Sequence, residues 1–333
     1  MPPSPPIVLY LPHTMTDTLQ MEMPELMQRA QVPGVSVSIV RDGKLASSGA
    51  YGLLRAGEPQ PVTSETVFQA ASLSKPVFAY AVLQLIATGE LDLDRPLTDY
   101  GAEPFAADDA CLHEVTARHV LSHTTGWPNW RPKGEPLRCE TPPGDRFGYS
   151  GEGFAYLQHV VEHITREPLE PFMQSRVLQP LAMRTSSFDA PKSDAQAAGH
   201  DSEAKPLWPR ESQRPSAAFS LRATPTDLAR FIAGVIAAPG RMLEPQVRVN
   251  DRVSWALGWG LETSSEGRAF WHWGDNPGFK SFAIGLPDTG AGAVVMTNAD
   301  GGRPLCAWVI ERLLGTDHPA LEWLARRYQS VSS

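Results

Sequence analysis

Ala70-Ala71-Ser72-Leu73-Ser74-Lys75-Pro76-Val77-Phe78-Ala79-Tyr80-Ala81-Val82 is the stretch on which the reading of this chain turns. Val77, Tyr80, Ala81, Val82, Leu85 and Ile86 recur at helical spacing, which predicts an apolar helix over residues 73–88 stopped at Gly89. Pro76 fits only the first turn of such a helix. Ser72 and Lys75 then stand three apart at its start, on one face, so the amine can approach the hydroxyl. The free N–H groups and positive dipole of the helix N-terminus favour an anion developing there. Taken alone, Ser-x-x-Lys serves a nucleophile or a helix-capping serine equally well. A second copy, Ser202 to Lys205, lies in a polar connection and reads as a chance match.

Upstream, Leu19, Met23, Leu26 and Met27 predict a helix that Pro33-Gly34 stops. Alternating residues on either side of Arg41-Asp42-Gly43-Lys44 predict a strand hairpin. The proline-rich residues 1–14 read as a loose extension. Downstream, residues 154–164 and 169–177 read as helices, and 186–216 as a long polar surface connection. Thr224-Pro225-Thr226-Asp227 caps a helix reaching about residue 237. Residues 255–261, 269–273, 281–286 and 292–297 read as strands, and 304–314 as a closing helix. Strands at both ends and helices between them predict an α+β fold: an antiparallel sheet flanked by helices, plus an inserted mostly helical lobe. Residues 15–75 and 215–333 form a discontinuous α/β domain in this reading, and residues 76–214 the helical one. The cleft between them is the expected site.

The chain has 333 residues, of which 42% are hydrophobic and 20% charged, and its net charge is −8. That is ordinary globular composition, and the acidic balance argues against nucleic-acid or anionic-membrane partners. A short early apolar run, with no basic residue before Arg29, predicts a cytoplasmic protein without a signal peptide. Cys111, Cys139 and Cys306 are widely spaced and odd in number, and read as reduced, buried thiols. His119 and His123 lack the glutamate of a His-Glu-x-x-His zinc site. No metal and no cofactor is expected.

Two further segments join Ser72 and Lys75. Tyr149-Ser150-Gly151 precedes the helix over 154–164. A phenol there, beside the Lys75 ammonium, could take the Ser72 proton and later return it to a leaving group. Trp271-His272-Trp273-Gly274-Asp275 ends a strand, where Gly274 would let a substrate approach and the Asp275 N–H could join that of Ser72 in holding an oxyanion. Trp127, Trp130 and Trp273, in or beside loops, suggest an aromatic acyl or alcohol pocket, although core packing is the plainer reading. No Gly-x-Ser-x-Gly elbow is present.

In this order the three motifs resemble the serine β-lactamase and penicillin-binding family, in its class C β-lactamase-like branch. Val32-Pro33-Gly34, the run 89–94, Leu121-Ser122-His123-Thr124-Thr125-Gly126 and the helix after Thr224 extend the likeness over most of the chain. The resemblance implies a β-lactamase/transpeptidase-like fold, acylation of Ser72, and proton transfer shared by Lys75 and Tyr149. It also implies that the His123 segment braces the helical lobe. Two departures stand out. Gly151 replaces a frequent asparagine, and His272-Trp273-Gly274 stands where β-lactamases carry Lys-Thr-Gly, as in the family's esterases. The expected function is hydrolysis of small or apolar acyl esters. A D-amino-acid peptidase, a weak β-lactamase, a transacylase and a non-catalytic module binding peptides or cell-wall fragments are the alternatives. The partners expected are small ester, amide or lactam substrates.

Overall fold

A computed structural model describes residues 13–103, 110–190, 195–208 and 214–329. The expected loose extension therefore lies almost wholly outside the described residues. Ten strands are present among those described: β1 Gly34–Arg41, β2 Lys44–Gly52, β3 Phe68–Gln69, β4 Arg222–Ala223, β5 Val247–Arg248, β6 Val253–Trp255, β7 Gly260–Ser264, β8 Gly267–Asn276, β9 Phe279–Leu286 and β10 Ala291–Thr297. Eight of them form one sheet in the order β2-β1-β10-β9-β8-β7-β6-β5, while β3 and β4 pair separately. Every pairing between these strands is antiparallel. The N-terminal hairpin joins the C-terminal strands through β1 and β10, paired from Val35↔Thr297 to Val40↔Gly292.

Helices are α1 His13–Ala30, α2 Ser74–Ala87, α3 Ala117–Leu121, α4 Gly151–Thr165, α5 Leu169–Met173, α6 Pro225–Ala237, α7 Gly302–Leu314 and α8 Pro319–Gln329. Helix α6 covers one face of the sheet; α7, with α1 against it, and α8 cover the other. Both faces of the central strands are thus dry, and β9 is buried at every position. Such strands read as continuous apolar runs, not alternating ones. The caps follow the sequence: the Thr224 side chain accepts from Asp227 N, with Pro225 at the first helical position of α6.

Several expectations change. Residues 255–261 are not one strand: β6 ends at Trp255 and β7 begins at Gly260, across a turn where Gly258 takes φ +95°. Helix α8 was not anticipated. The 186–216 segment is irregular, but its described part is packed: Phe188 and His200 are buried, and His200 accepts from Ala56 N and donates through Nδ1 to Asn298 O. Cys111 and Cys139 are not free thiols. Their Cα atoms come within 6.2 Å and the two form a disulfide, because the chain folds back over the 28 residues that separate them. Sequence spacing cannot reveal that return. Disulfides persist in oxidising surroundings, so the pairing weighs against the cytoplasmic expectation. Cys306 is free and buried, its thiol pushed up to about 12 by desolvation. No helix among the described residues is long and apolar enough to cross a membrane.

Candidate active site

The turn Ala71–Leu73 feeds directly into α2, and Ala71 holds φ +51°, a left-handed conformation that costs a residue with a Cβ about 1 kcal/mol or more. The surroundings hold it there. Ser74 Oγ donates to Ala71 O at 2.6 Å and accepts from Leu221 N at 2.9 Å, so the turn is tied to the segment before β4. Ser72 is thereby lifted to a partly exposed position at the start of α2.

Lys75 lies one turn on, only 1% exposed. Its Nζ donates to Ser72 Oγ at 3.1 Å and to Ala218 O at 2.7 Å. Nζ also sits over the Tyr149 ring, 4.9 Å from its centroid, and 5.6 Å from that of Phe154. Among the described residues no carboxylate pairs with it, and desolvation lowers its pKa to about 7. The spacing-based expectation that Lys75 reaches Ser72 agrees with this geometry.

Tyr149 is buried against His123, Trp273, Trp255 and His272, with ring centroids 4.2, 4.7, 6.2 and 6.0 Å away. Burial pushes its phenol far up; the nearby Ser72 hydroxyl and the Arg327 cation pull the other way. Ser72 is close enough to exert that pull, but no hydrogen bond of regular geometry forms, and the phenol oxygen is left without a partner. The loop is fixed from behind. Ser150 caps α4 by accepting from Gly153 N and donates to Pro128 O. Gly151 N donates to Asn129 Oδ1, and Ser150 N to His123 Nδ1. His123, at φ +55°, also stacks on Tyr149.

The third segment differs in detail from expectation. Pairing of β7 with β8 stops at Trp271, whereas β8 stays paired with β9 to Asn276, so residues 272–276 leave one backbone edge of the sheet open beside the Ala71–Leu73 turn. Gly274 is needed there, but for the chain itself: a Cβ would collide with Ala70 O and Ser281 Oγ. His272 is fully buried, donates through Nδ1 to Trp273 O at 2.8 Å, and is held neutral at a pKa of about 3 by desolvation and by Lys75. Its Nε2 is an acceptor with no partner. The Asp275 side chain is committed to Lys280 at 2.9 Å and Arg303 at 2.7 Å. Lys280 also binds Asp300, so neither cation is uncompensated.

Of the three tryptophans expected to line a pocket, Trp127 and Trp273 are buried and only Trp130 is exposed, at 47%. Trp130 packs on Gly151 and, 5.7 Å away and edge-on, on Phe219, which follows the carbonyl that Lys75 binds. Asn276 Nδ2 donates to Gln69 Oε1, closing the same corner. The Ser202–Lys205 copy forms an exposed turn around Asp201, with Lys205 paired to Glu203. Sequence reasoning missed Ser74, Asn129, the Ala218 carbonyl and Arg327. Backbone carbonyls carry no sequence signal, and Arg327 lies on the helix that was not anticipated.

An antiparallel sheet covered by helices on both faces, with a serine and a buried lysine one helical turn apart against a tyrosine, defines a class of active-site serine hydrolases. The Beta-lactamase family matches residues 20–314, and the chain belongs to it, a family of serine hydrolases that includes esterases and carboxypeptidases. It is 26% identical to Penicillin-binding protein 4 of Amycolatopsis lactamdurans over 331 residues, 85% of each chain. It is 32% identical to Esterase EstB of Burkholderia gladioli over 217 residues, 56% of this chain and 55% of that protein. Among solved structures, it superposes on a beta-lactamase/D-alanine carboxypeptidase from Pseudomonas syringae with a TM-score of 0.78 at 20% identity, covering 92% of this chain and all of that one. The fold is thus of the β-lactamase/transpeptidase type.

Proposed function

We propose that the protein is a carboxylesterase acting on small or apolar acyl esters through an acyl-enzyme on Ser72. The observation that carries the proposal is the buried Lys75 amine, 3.1 Å from Ser72 Oγ and lowered to about 7, so that a substantial share of it is the free base near neutral pH. Lys75 takes the Ser72 proton as Oγ attacks the ester carbonyl. The oxyanion faces the N–H of Ser72 and, along the open edge of β8, that of Asp275. As the tetrahedral adduct collapses, Tyr149 gives its proton to the departing alkoxide and recovers one from the Lys75 ammonium above its ring. Water repeats the sequence to free the acid.

Three features favour an ester. His272 supplies no cation for a substrate carboxylate, Trp130 and Phe219 offer aromatic surface beside the site, and the likeness to an esterase spans half the chain. The similarity to a penicillin-binding protein keeps a D-amino-acid peptidase as the second reading. A fluorophosphonate probe, followed by a screen of esters, amides and lactams, tests both. Labelling of wild type but not of Ser72→Ala, with ester turnover dominant, is the expected result. An unlabelled wild-type protein would mean a binding module instead.

A further inference from the structure

Helix α8 begins five residues after the family-matched region ends at residue 314, yet it reaches the site. Its start is anchored by buried Glu262, which accepts from Ala320 N at 2.8 Å and pairs with His318 Nδ1 at 2.8 Å. Trp323 then packs on Trp271, Trp273 and Phe147, with centroids 5.7, 5.6 and 6.0 Å away. Tyr328 accepts from Trp273 Nε1 at 2.9 Å and lies under the Arg303 guanidinium, 3.4 Å from its ring centroid. This seating sets the half-buried Arg327 guanidinium 5.5 Å from the Tyr149 ring centroid and 5.5 Å from that of Trp323.

We infer that Arg327 is a positioning residue for the reaction: its fixed cation makes Tyr149 a stronger proton donor toward the leaving group.

The groups facing Tyr149 leave this role to few candidates. Ser72 and Lys75 approach from the start of α2, His123 from the turn after α3, His272 and Asp275 from β8, and Arg327 and Tyr328 from α8. Both imidazoles are kept neutral by burial, and Lys75 alternates between amine and ammonium during turnover. Asp275 and Tyr328 raise the phenol pKa, whereas Arg327 lowers it. Arginine stays charged throughout. When Tyr149 passes its proton to the departing alkoxide, a buried phenolate remains until the Lys75 ammonium refills it. A cation against the ring stabilises that anion when the low dielectric makes it most costly.

The inference rests on the proton-transfer reading above, and leaving-group dependence separates the two. An alkoxide of high basicity needs the donated proton; 4-nitrophenolate hardly does. Acetate esters from 4-nitrophenyl through phenyl to ethyl are measured on wild type, Arg327→Met, Arg327→Lys and Tyr149→Phe, with folding checked by thermal melts. Arg327→Met is expected to lose about tenfold or more in kcat/KM, which reports acylation alone, on phenyl and ethyl acetate, with little loss in kcat/KM on 4-nitrophenyl acetate. Arg327→Lys should keep the wild-type dependence. Uniform loss across the esters, no loss, or an equally steepened dependence in Arg327→Lys overturns the inference. An active Tyr149→Phe would instead bring down the underlying proton path.

Discussion

The six-membered ring of Trp130 occupies the space that a side chain at Gly151 would need: a Cβ there would collide with ring carbons Cζ2 and Cη2. The glycine and the tryptophan are one feature, an aromatic wall replacing a polar side chain two residues after Tyr149. Gly151→Asn is therefore expected to lower both the melting temperature and ester turnover, because the ring must move and Tyr149 is tied to the same loop. Overpacking of this kind costs about 1–3 kcal/mol. Combined with Trp130→Ala, the asparagine should fit, so the double variant should be more stable than the sum of the single changes predicts. Additive losses in a double-mutant cycle would show that the two positions do not compete.

Lys75 pits function against stability. A buried amine without a carboxylate is costly, so Lys75→Met should abolish turnover yet raise the melting temperature. Because the folded pKa, about 7, lies below the ordinary lysine value of 10.5, the unfolded chain binds the extra proton between those values, and wild-type stability rises with pH across that window. The advantage of Lys75→Met should be largest at pH 7 and below and should shrink toward pH 10. Thermal melts across that range, with no convergence of the two proteins, would contradict the assignment.

The same group sets the pH dependence of catalysis. Only the free amine can take the Ser72 proton, so kcat/KM should rise about tenfold per pH unit below 7 and level off above about 8. Burial holds Tyr149 protonated throughout, which suits a donor and supplies no second rising limb. A profile on 4-nitrophenyl acetate that is flat between pH 5 and 8 would remove Lys75 as the base.

The Cys111–Cys139 disulfide closes a loop spanning 28 residues of separation that carries His123, Asn129 and Trp130, the supports of the Tyr149 turn. Chain-entropy arguments assign such a link about 3.5 kcal/mol. Reduction, or Cys111→Ser, is expected to lower the melting temperature by several degrees and to weaken turnover. Thiol titration under denaturing conditions should find one free thiol before reduction, that of Cys306, and three afterwards.

Local chemistry was legible in the sequence where it is carried by neighbours along the chain. Ser72 and Lys75 share a face because helical geometry places residues three apart together, and Thr224 to Asp227 announced its own helix. Long-range returns were not legible. Ala218 binds Lys75 from 143 residues away, and its carbonyl has no residue-type signature. Helix α8 carries Trp323, Arg327 and Tyr328 on a face whose partners, Trp273 and Tyr149, lie far earlier in the chain. Residues 255–261 read as one strand because an apolar run hides a turn, and only Gly258 marked it. The reading of Gly274 as room for substrate identified a real close approach, but the neighbour is Ala70 of the same chain.

Substrate preference follows from how His272 is held. Its Nδ1–H is spent on Trp273 O, so the ring can only accept, and burial keeps it neutral. It therefore offers a substrate carboxylate neither charge nor a hydrogen bond. Lys280 and Arg303 are cations close by in sequence and space, but each is paired with Asp275, and Lys280 also with Asp300. The anionic carboxylate of a cephalosporin would find Lys280 and Arg303 already paired at this end of β8, whereas the Trp130 and Phe219 rings suit an apolar or aryl ester. Short aryl esters such as 4-nitrophenyl butyrate should be turned over with kcat/KM at least ~10²-fold above nitrocefin, a difference of about 2.7 kcal/mol in transition-state stabilisation. His272→Lys would place a second amine in the buried space beside Lys75. It should lower stability and further depress the Lys75 pKa, moving the rising limb of the ester profile to lower pH. A wild-type preference for nitrocefin would mean that a cation elsewhere, with Arg222 and its amide partner Gln196 the first to examine, receives the carboxylate.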